Sequence, residues 1–365
     1  YEVTIFEAAA KPGGMLRWAI PAYRLPRNIL AGEIDDIRAL GVEIKCNKRI
    51  GKDITFAKLD KEYDYVYLAP GAQKSQPMGI EGENLPGIFG GVEFLRDYNE
   101  NEAAWEKGKK KLGSRVAVVG GGNSAIDAAR TALRLGAEVT ILYRRLRQDM
   151  PAAQEEILAA EHEGVKIEYL VAPLKVVSEG GKITGIVCQR MQLGDFDKSG
   201  RKRPVPIAGS EFTLSVDAVI SAIGQVPDLG FVGKNSGIEV TKWNTFSLAK
   251  GSESMTANEK YFAGGDAVTG PDTVIGAIEA GHQAAIDIDT VIRAKNGEPA
   301  YELPPEQKID VPLIIDEETV ECPQTAIPEL EAATRKTSFV EVELGFTKEQ
   351  ALKEATRCLR CDAEI

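Results

Sequence analysis

Val116-Ala117-Val118-Val119-Gly120-Gly121-Gly122-Asn123-Ser124-Ala125 is the stretch that decides the architecture of this 365-residue chain. Four consecutive apolar residues read as a strand buried on both faces. A Gly-x-Gly-x-x-Ala turn follows at once, and Ser124 to Leu135 then places Ala125, Ala129, Ala132 and Leu133 on one helical face. Gly136 stops the helix, and Glu138-Val139-Thr140-Ile141-Leu142-Tyr143 reads as the next strand. A glycine-rich turn alone is weak evidence. Strand, turn, helix and strand within about thirty residues specify a dinucleotide-binding unit. The glycines let backbone approach a pyrophosphate, and the helix N-terminus offers free N–H groups and a positive dipole end. Gly120, Gly122, Asn123 and Ser124 are therefore candidate binding residues. The end of the second strand reads the ribose. It carries Arg144 and Arg145, with Arg147 close behind, where an NAD site would carry an acid. Guanidinium groups suit a 2′-phosphate by charge and by bidentate hydrogen bonding, which favours NADPH and leaves NADH as the alternative.

The unit recurs. Glu2-Val3-Thr4-Ile5-Phe6-Glu7 resembles Glu138 to Tyr143, and Asp64-Tyr65-Val66-Tyr67-Leu68-Ala69-Pro70-Gly71 shares Asp-x-Val-x-x-Ala-x-Gly with Asp217 to Gly224. Two matches in the same order point to two copies of one α/β unit. In the first copy the ribose position is Glu7, an acid, which suits the unphosphorylated ribose of FAD. Val116 lies 138 − 116 = 22 residues before Glu138. The first copy's own strand, glycine turn and helix are therefore expected in roughly 22–25 residues upstream of Glu2, by the length of the same unit. Near the other end, Tyr261-Phe262-Ala263-Gly264-Gly265-Asp266-Ala267 reads as a short strand running into Gly-Gly-Asp, followed by a helix from about Thr273. Asp266 is placed to hydrogen-bond a ribityl or ribose hydroxyl. The helix start at Thr273-Val274 would point its dipole at a flavin carbonyl. The fold class is thus α/β with two Rossmann-like domains. An FAD domain (1–100 and 225–296) is split around an NAD(P)H domain (112–224), and an extension follows (297–365).

Composition agrees. Asp and Glu total 55 against 44 Lys and Arg, a net charge of −11, which argues against a nucleic-acid partner. No stretch approaches the roughly 18 consecutive apolar residues of a membrane helix. Five cysteines are odd in number and too few for a disulfide scaffold, so a reducing cytoplasm is the expected compartment.

Several runs together resemble the small (β) subunit of glutamate synthase and its relatives. They are Phe6-Glu7-Ala8, Lys11-Pro12-Gly13-Gly14-Met15, Ile20-Pro21 and Arg24-Leu25-Pro26; Val118 to Asn123; Tyr143-Arg144-Arg145 with Met150-Pro151-Ala152; and Ala263 to Asp266. The resemblance covers about Val3 to Asn296. It implies hydride transfer from NADPH to FAD, followed by single-electron transfer through iron–sulfur clusters to a larger partner subunit. It implies FAD contacts at Glu7, Gly13, Gly14, Leu16, Ala69, Gly71, Gly265, Asp266, Thr273, Val274 and Ala277. For the nicotinamide nucleotide it implies contacts at the Gly120 turn, Arg144, Arg145 and Gly224. The family's N-terminal cysteine-rich domain and first glycine fingerprint are not in this sequence.

Cys358-x-x-Cys361 has cluster-ligand spacing, but a 4Fe-4S cluster needs four thiolates. Half of a cluster site and a plain surface pair stand as equal readings. Only Cys188 lies between Val116 and Gly224, so the Cys-x-x-Cys chemistry of a thioredoxin reductase is excluded. His162 is expected to face solvent and His282 to pack. Arg201-Lys202-Arg203 reads as a hairpin tip. Two other roles remain open: a subunit of an electron-bifurcating complex, and a non-catalytic docking module. Replacing both Arg144 and Arg145 with Ala is expected to weaken NADPH binding by roughly 1.5–3 kcal/mol for each lost charge-assisted contact and to leave NADH little changed. Equal losses for both nucleotides in a binding titration would contradict this.

Overall fold

The alternation of side chains along the Val116 strand shows how the centre of the molecule is built. In a computed structural model, which describes residues 1–197, 200–233, 236–302 and 323–358, this strand is the middle of a five-stranded parallel sheet. The order is Ile88–Gly90, Ala218–Ser221, Arg115–Val119, Glu138–Tyr143, Lys166–Tyr169. Successive residues point to opposite faces, and both faces are covered. Val116, Val118, Val139, Ile141, Ala218 and Ile220 pack against helices, among them Gly91–Glu100 and Asn123–Arg134. Ala117, Val119, Leu142 and Val219 pack against a three-stranded antiparallel sheet formed by Val171–Glu179, Lys182–Phe196 and Lys202–Leu214. This is why the strand reads as an unbroken apolar run rather than an alternating one.

The first copy supplies two parallel pairs, Thr4–Phe6 with Glu43–Lys45 and Val66–Leu68 with Tyr261–Ala263. These match the outer pairs of the central sheet, Glu138–Tyr143 with Lys166–Tyr169 and Ala218–Ser221 with Ile88–Gly90. The split of this unit around the other therefore appears directly in strand pairing, since Val66–Leu68 precedes the inserted domain and Tyr261–Ala263 follows it. Leu68, Phe246, Tyr261, Ala263 and Ala267 form its own small core.

The expected boundary at residue 100 falls earlier. Ile88–Gly90 hydrogen-bonds to Ala218–Ser221, and the following helix packs on Asn123–Arg134, so this segment belongs to the inserted domain. Part of the extension is also ordered against that domain. Phe339 stacks on Tyr98 with ring centroids 4.7 Å apart, and the Val342 N–H donates to the Tyr23 carbonyl at 3.0 Å.

Where these parts meet lies a buried ion cluster. Glu163 accepts from Arg130 Nη2 at 2.7 Å and from Arg134 Nη1 at 2.6 Å, with all three side chains at most 2% exposed. Arg335 of the extension approaches Glu163 at 3.7 Å and pairs with Glu329. The Arg134 guanidinium sits 3.9 Å from the centre of the Tyr23 ring, and its Nε donates to the Ser338 carbonyl. Arg24 completes the link, pairing with Asp127 at 2.9 Å and Glu156 at 2.7 Å. A buried charge that loses its partner is strongly destabilising. Glu163→Gln is therefore expected to lower the unfolding free energy by roughly 3–5 kcal/mol in urea titrations. Asp35→Asn, which removes only the exposed Arg38 pair, should cost under about 1 kcal/mol. Equal losses would show that the cluster does not hold these parts together.

Candidate nucleotide-binding sites

The inserted domain carries its candidate residues at the carboxyl ends of adjacent strands, where open α/β sheets bind ligands. A Cβ on Gly120 would stand 2.1 Å from the Ala222 carbonyl oxygen, so only glycine allows the turn to cross the end of Ala218–Ser221. Gly122 is the N-cap of helix Asn123–Arg134 and gives it no side-chain cap. The first N–H groups of that helix are thus open to an anion. Around them the loop is fixed: Asn123 Oδ1 accepts from the Ala153 N–H at 3.0 Å, and the Ala152 N–H donates to the Gly121 carbonyl. Ser124 Oγ accepts from Gln225 Nε2 at 2.8 Å, which draws Gly224 to the same edge. Gln225, which the sequence did not single out, has no signal beyond following that glycine. Gly120, Gly122, Asn123, Ser124 and Gly224 therefore come together.

The two arginines part company. Arg144 is exposed at the strand end. Arg145 is 7% exposed and engaged elsewhere: Nη2 pairs with Asp197 at 2.8 Å and Nε donates to the Lys202 carbonyl at 3.1 Å. It secures the long hairpin to the sheet through these contacts. Tyr143, between them and the turn, donates its hydroxyl to the Asp149 carbonyl, and burial raises its pKa.

In the split unit, Glu7 closes its strand, and its Oε1 accepts from the Ala9 N–H at 2.7 Å. Gly13 precedes helix Gly14–Trp18, and Arg27 pins this helix by donating to the Leu16 and Ile20 carbonyls and to Asn99 Oδ1. Lys11, Arg17 and Arg38 line a cleft of about 270 Å³ beside it. The register Leu68↔Ala263 carries Ala69 and Gly71 alongside Gly264 and Gly265. Gly265, at φ +60°, turns the chain so that Ala277 of helix Val274–Asn296 approaches to 3.5 Å of where its Cβ would be. A side chain there would fill the narrow space a flat ligand needs. Asp266 is partly buried, which raises its pKa, and accepts from the Asp272 N–H at 3.2 Å. Thr273 caps the long helix through Gly276 N–H, and Val274 is exposed at its mouth. Ala69, Gly71, Gly265, Asp266, Thr273, Val274 and Ala277 thus share one strand-end edge, while Glu7 ends a strand of the unit's other pair.

The cysteines are less informative. Cys358 is exposed, and Cys361 and Cys322 lie outside the described residues. Among the described residues no cluster of His, Cys, Asp or Glu has metal-site geometry. Burial pushes the Cys188 thiol up to about 12, leaving it inert at neutral pH. His162 is exposed as expected. His282 is also exposed rather than packed, because it faces outward from helix Val274–Asn296. No helix among the described residues is long and apolar enough to cross a membrane.

The chain is 46% identical over 369 residues to the NADP(+)-dependent formate dehydrogenase subunit beta of Moorella thermoacetica, covering 99% of this chain and 51% of that protein. It is 34% identical to the glutamate synthase [NADPH] small chain of Escherichia coli, over 78% of this chain and 62% of that one. The chain spans about half the length of the curated relatives it matches. Among solved structures, Mycobacterium tuberculosis FprA in complex with NADPH superposes with a TM-score of 0.66 at 20% identity, covering 83% of this chain and 80% of that chain. Residues 18–281 match the family described as pyridine nucleotide-disulphide oxidoreductase, and the chain belongs to that family.

Proposed function

We propose that this chain is the nucleotide-binding part of an NADPH-dependent FAD oxidoreductase that serves a larger electron-transfer enzyme. The observation that carries the reading is the uncapped helix start at Asn123, reached through a glycine turn that no other residue could make at Gly120. The N–H groups there would hold the NADPH pyrophosphate, and Arg144 the 2′-phosphate. Glu7 would hold the FAD ribose and Asp266 a ribityl or ribose hydroxyl. Gly13, Gly14 and Leu16 lie on the flavin side, and the start of the Val274 helix would favour negative charge on the ring by its dipole. Bound flavin supplies the chemistry, accepting hydride from a nicotinamide and giving up electrons singly. The protein contributes position, and the Arg24–Asp127 pair supports this by fixing the loop that follows the flavin-side glycines to the nicotinamide helix.

The split unit is completed, in this reading, by a strand and glycine turn upstream of Glu2. Val3 and Ile5 are 48% and 41% exposed, whereas their counterparts Val139 and Ile141 are 2% and 0% exposed against the central strand. The acceptor would be an iron–sulfur centre of a partner subunit, in keeping with relatives named as beta subunits and small chains. The Cys358-x-x-Cys361 spacing would supply two of the ligands of a shared cluster. A cytoplasmic location follows from the cysteine usage.

The test is an anaerobic titration of the full-length protein with NADPH and then NADH, following flavin absorbance. Bleaching at low NADPH concentration is expected, with NADH less effective. Protein purified without flavin, or flavin that NADPH does not bleach, would overturn the reading.

A further inference from the structure

The helix Gly14–Trp18, on the flavin side in the reading above, is only five residues long. A helix this short does not hold itself together in water, and its last carbonyls have no partner within it. What those carbonyls meet therefore decides where the helix sits. Arg27 donates from Nη1 to the Leu16 carbonyl at 3.0 Å and from Nη2 to the Ile20 carbonyl at 2.8 Å. The Trp18 carbonyl accepts from Asn99 Nδ2 at 2.8 Å, and Asn99 Oδ1 accepts from Arg27 Nη2 at 2.8 Å. Residue 99 must thus carry a donor and an acceptor together, because a guanidinium only donates and a carbonyl only accepts.

Asn99 comes from the other unit. It lies on helix Gly91–Glu100, which packs on Asn123–Arg134 of the inserted domain. Arg96, one turn earlier on that helix, has its guanidinium 5.3 Å from the centre of the Trp18 ring. Ala19 is part of the apolar core of the inserted domain, and Met15 packs against it. The short helix after Gly13 therefore rides on the domain that carries the Gly120 turn. The Arg24–Asp127 pair ties the loop that follows, whereas Asn99 and Arg27 hold the helix itself.

We propose that Asn99 and Arg27 are positioning residues for hydride transfer, fixing the helix after the flavin-side glycines against the domain that holds the nicotinamide. This deepens the reading above and rests on it. Transfer depends steeply on alignment, and a misplacement of about 1 Å costs about a hundredfold. Binding does not share that dependence, since neither residue is among those assigned to the two nucleotides. The signature is a slower chemical step at unchanged affinity.

The experiment uses the full-length protein and reads the limiting rate of anaerobic flavin reduction at saturating NADPH, the calorimetric affinity for NADP⁺, and hydrogen exchange of the amides. Asn99→Ala is expected to lower the limiting rate about tenfold to a hundredfold and to leave NADP⁺ affinity and flavin content unchanged. Exchange should quicken at residues 15–20 and stay as it was at 123–134. Arg27→Lys keeps the charge but loses the forked donations, so it should show the same pattern. Asn99→Asp keeps the acceptor for Arg27 and loses only the donor to Trp18, so it should recover part of the rate. Glu100→Ala, at an exposed position on the same helix, should have little effect. An unchanged limiting rate in Asn99→Ala, a matching loss of NADP⁺ affinity, or exchange that quickens equally at 15–20 and 123–134 would overturn the proposal. Quickened exchange confined to 15–20, in a protein whose flavin NADPH does not reduce, would uphold the clamp and overturn the oxidoreductase reading instead.

Discussion

The ion cluster around Glu163 is the constraint on which the arrangement of parts depends. Arg130 and Arg134 lie on the helix that begins at the glycine turn, two to three helical turns further in. Their charges are buried, so they must be paired, and their partners come from different stretches of chain: Glu156 and Glu163 from one helix, and Ser338 from the extension. Arg335, also of the extension, reaches the same carboxylate. Tyr23 lies beneath two of these guanidinium groups, and its neighbour Arg24 reaches Asp127 on the same helix. Burial pushes the Asp127 carboxyl up to about 6, against the pull of Arg24. Replacing Glu163 would remove the carboxylate with which the fully buried Arg134 side chain pairs. The helix that would present its N-terminus to one nucleotide is thereby fixed to the loop that follows the flavin-side glycines of the other.

A second constraint is the close approach of strand ends. Gly120 passes against the Ala222 carbonyl and Gly264 against the Tyr67 hydroxyl, so each unit brings backbone to its carboxyl edge where side chains would keep it away. The device sits on different strands: Gly120 follows the middle strand of the five-stranded sheet, and Gly264 follows Tyr261–Ala263 of a parallel pair. One edge continues into an arginine-bearing strand end, the other into Asp266 and a capped helix start. In the proposed reading, Arg144 on one side and Glu7 on the other, rather than the fold, would tell a phosphorylated from an unphosphorylated ribose.

Much of this was legible in the sequence because it is local. The run Val116 to Val119, the turn that follows and the alanine face of the next helix declare themselves within about thirty residues, and the repeat of Asp-x-Val-x-x-Ala-x-Gly exposes the duplication. The strand Ile88–Gly90 was not legible: three residues before a helix carry no period, and only pairing with Ala218–Ser221 assigns it to the inserted domain. Arg145 was read by its position beside Arg144. Its burial is decided by Asp197, 52 residues away, and no local pattern reports such a contact. The docking of the extension is hidden for the same reason, since Arg134 and Ser338 lie 204 residues apart. His282 faces outward because the long helix has only Ala284 fully buried, a consequence of what packs on it rather than of its own periodicity.

The central claim is that one chain holds two nucleotides at two matching strand-end edges. A crystal structure of the full-length protein with FAD and NADP⁺ tests it most directly. The expected result has the NADP⁺ pyrophosphate over the N–H groups at Gly122 and Asn123 with its 2′-phosphate beside Arg144, and FAD running from Glu7 to Asp266 with its ring near Gly14 and Ala277. NADP⁺ bound away from the Gly120 turn, or FAD bound without contact to Glu7 and Asp266, would contradict it.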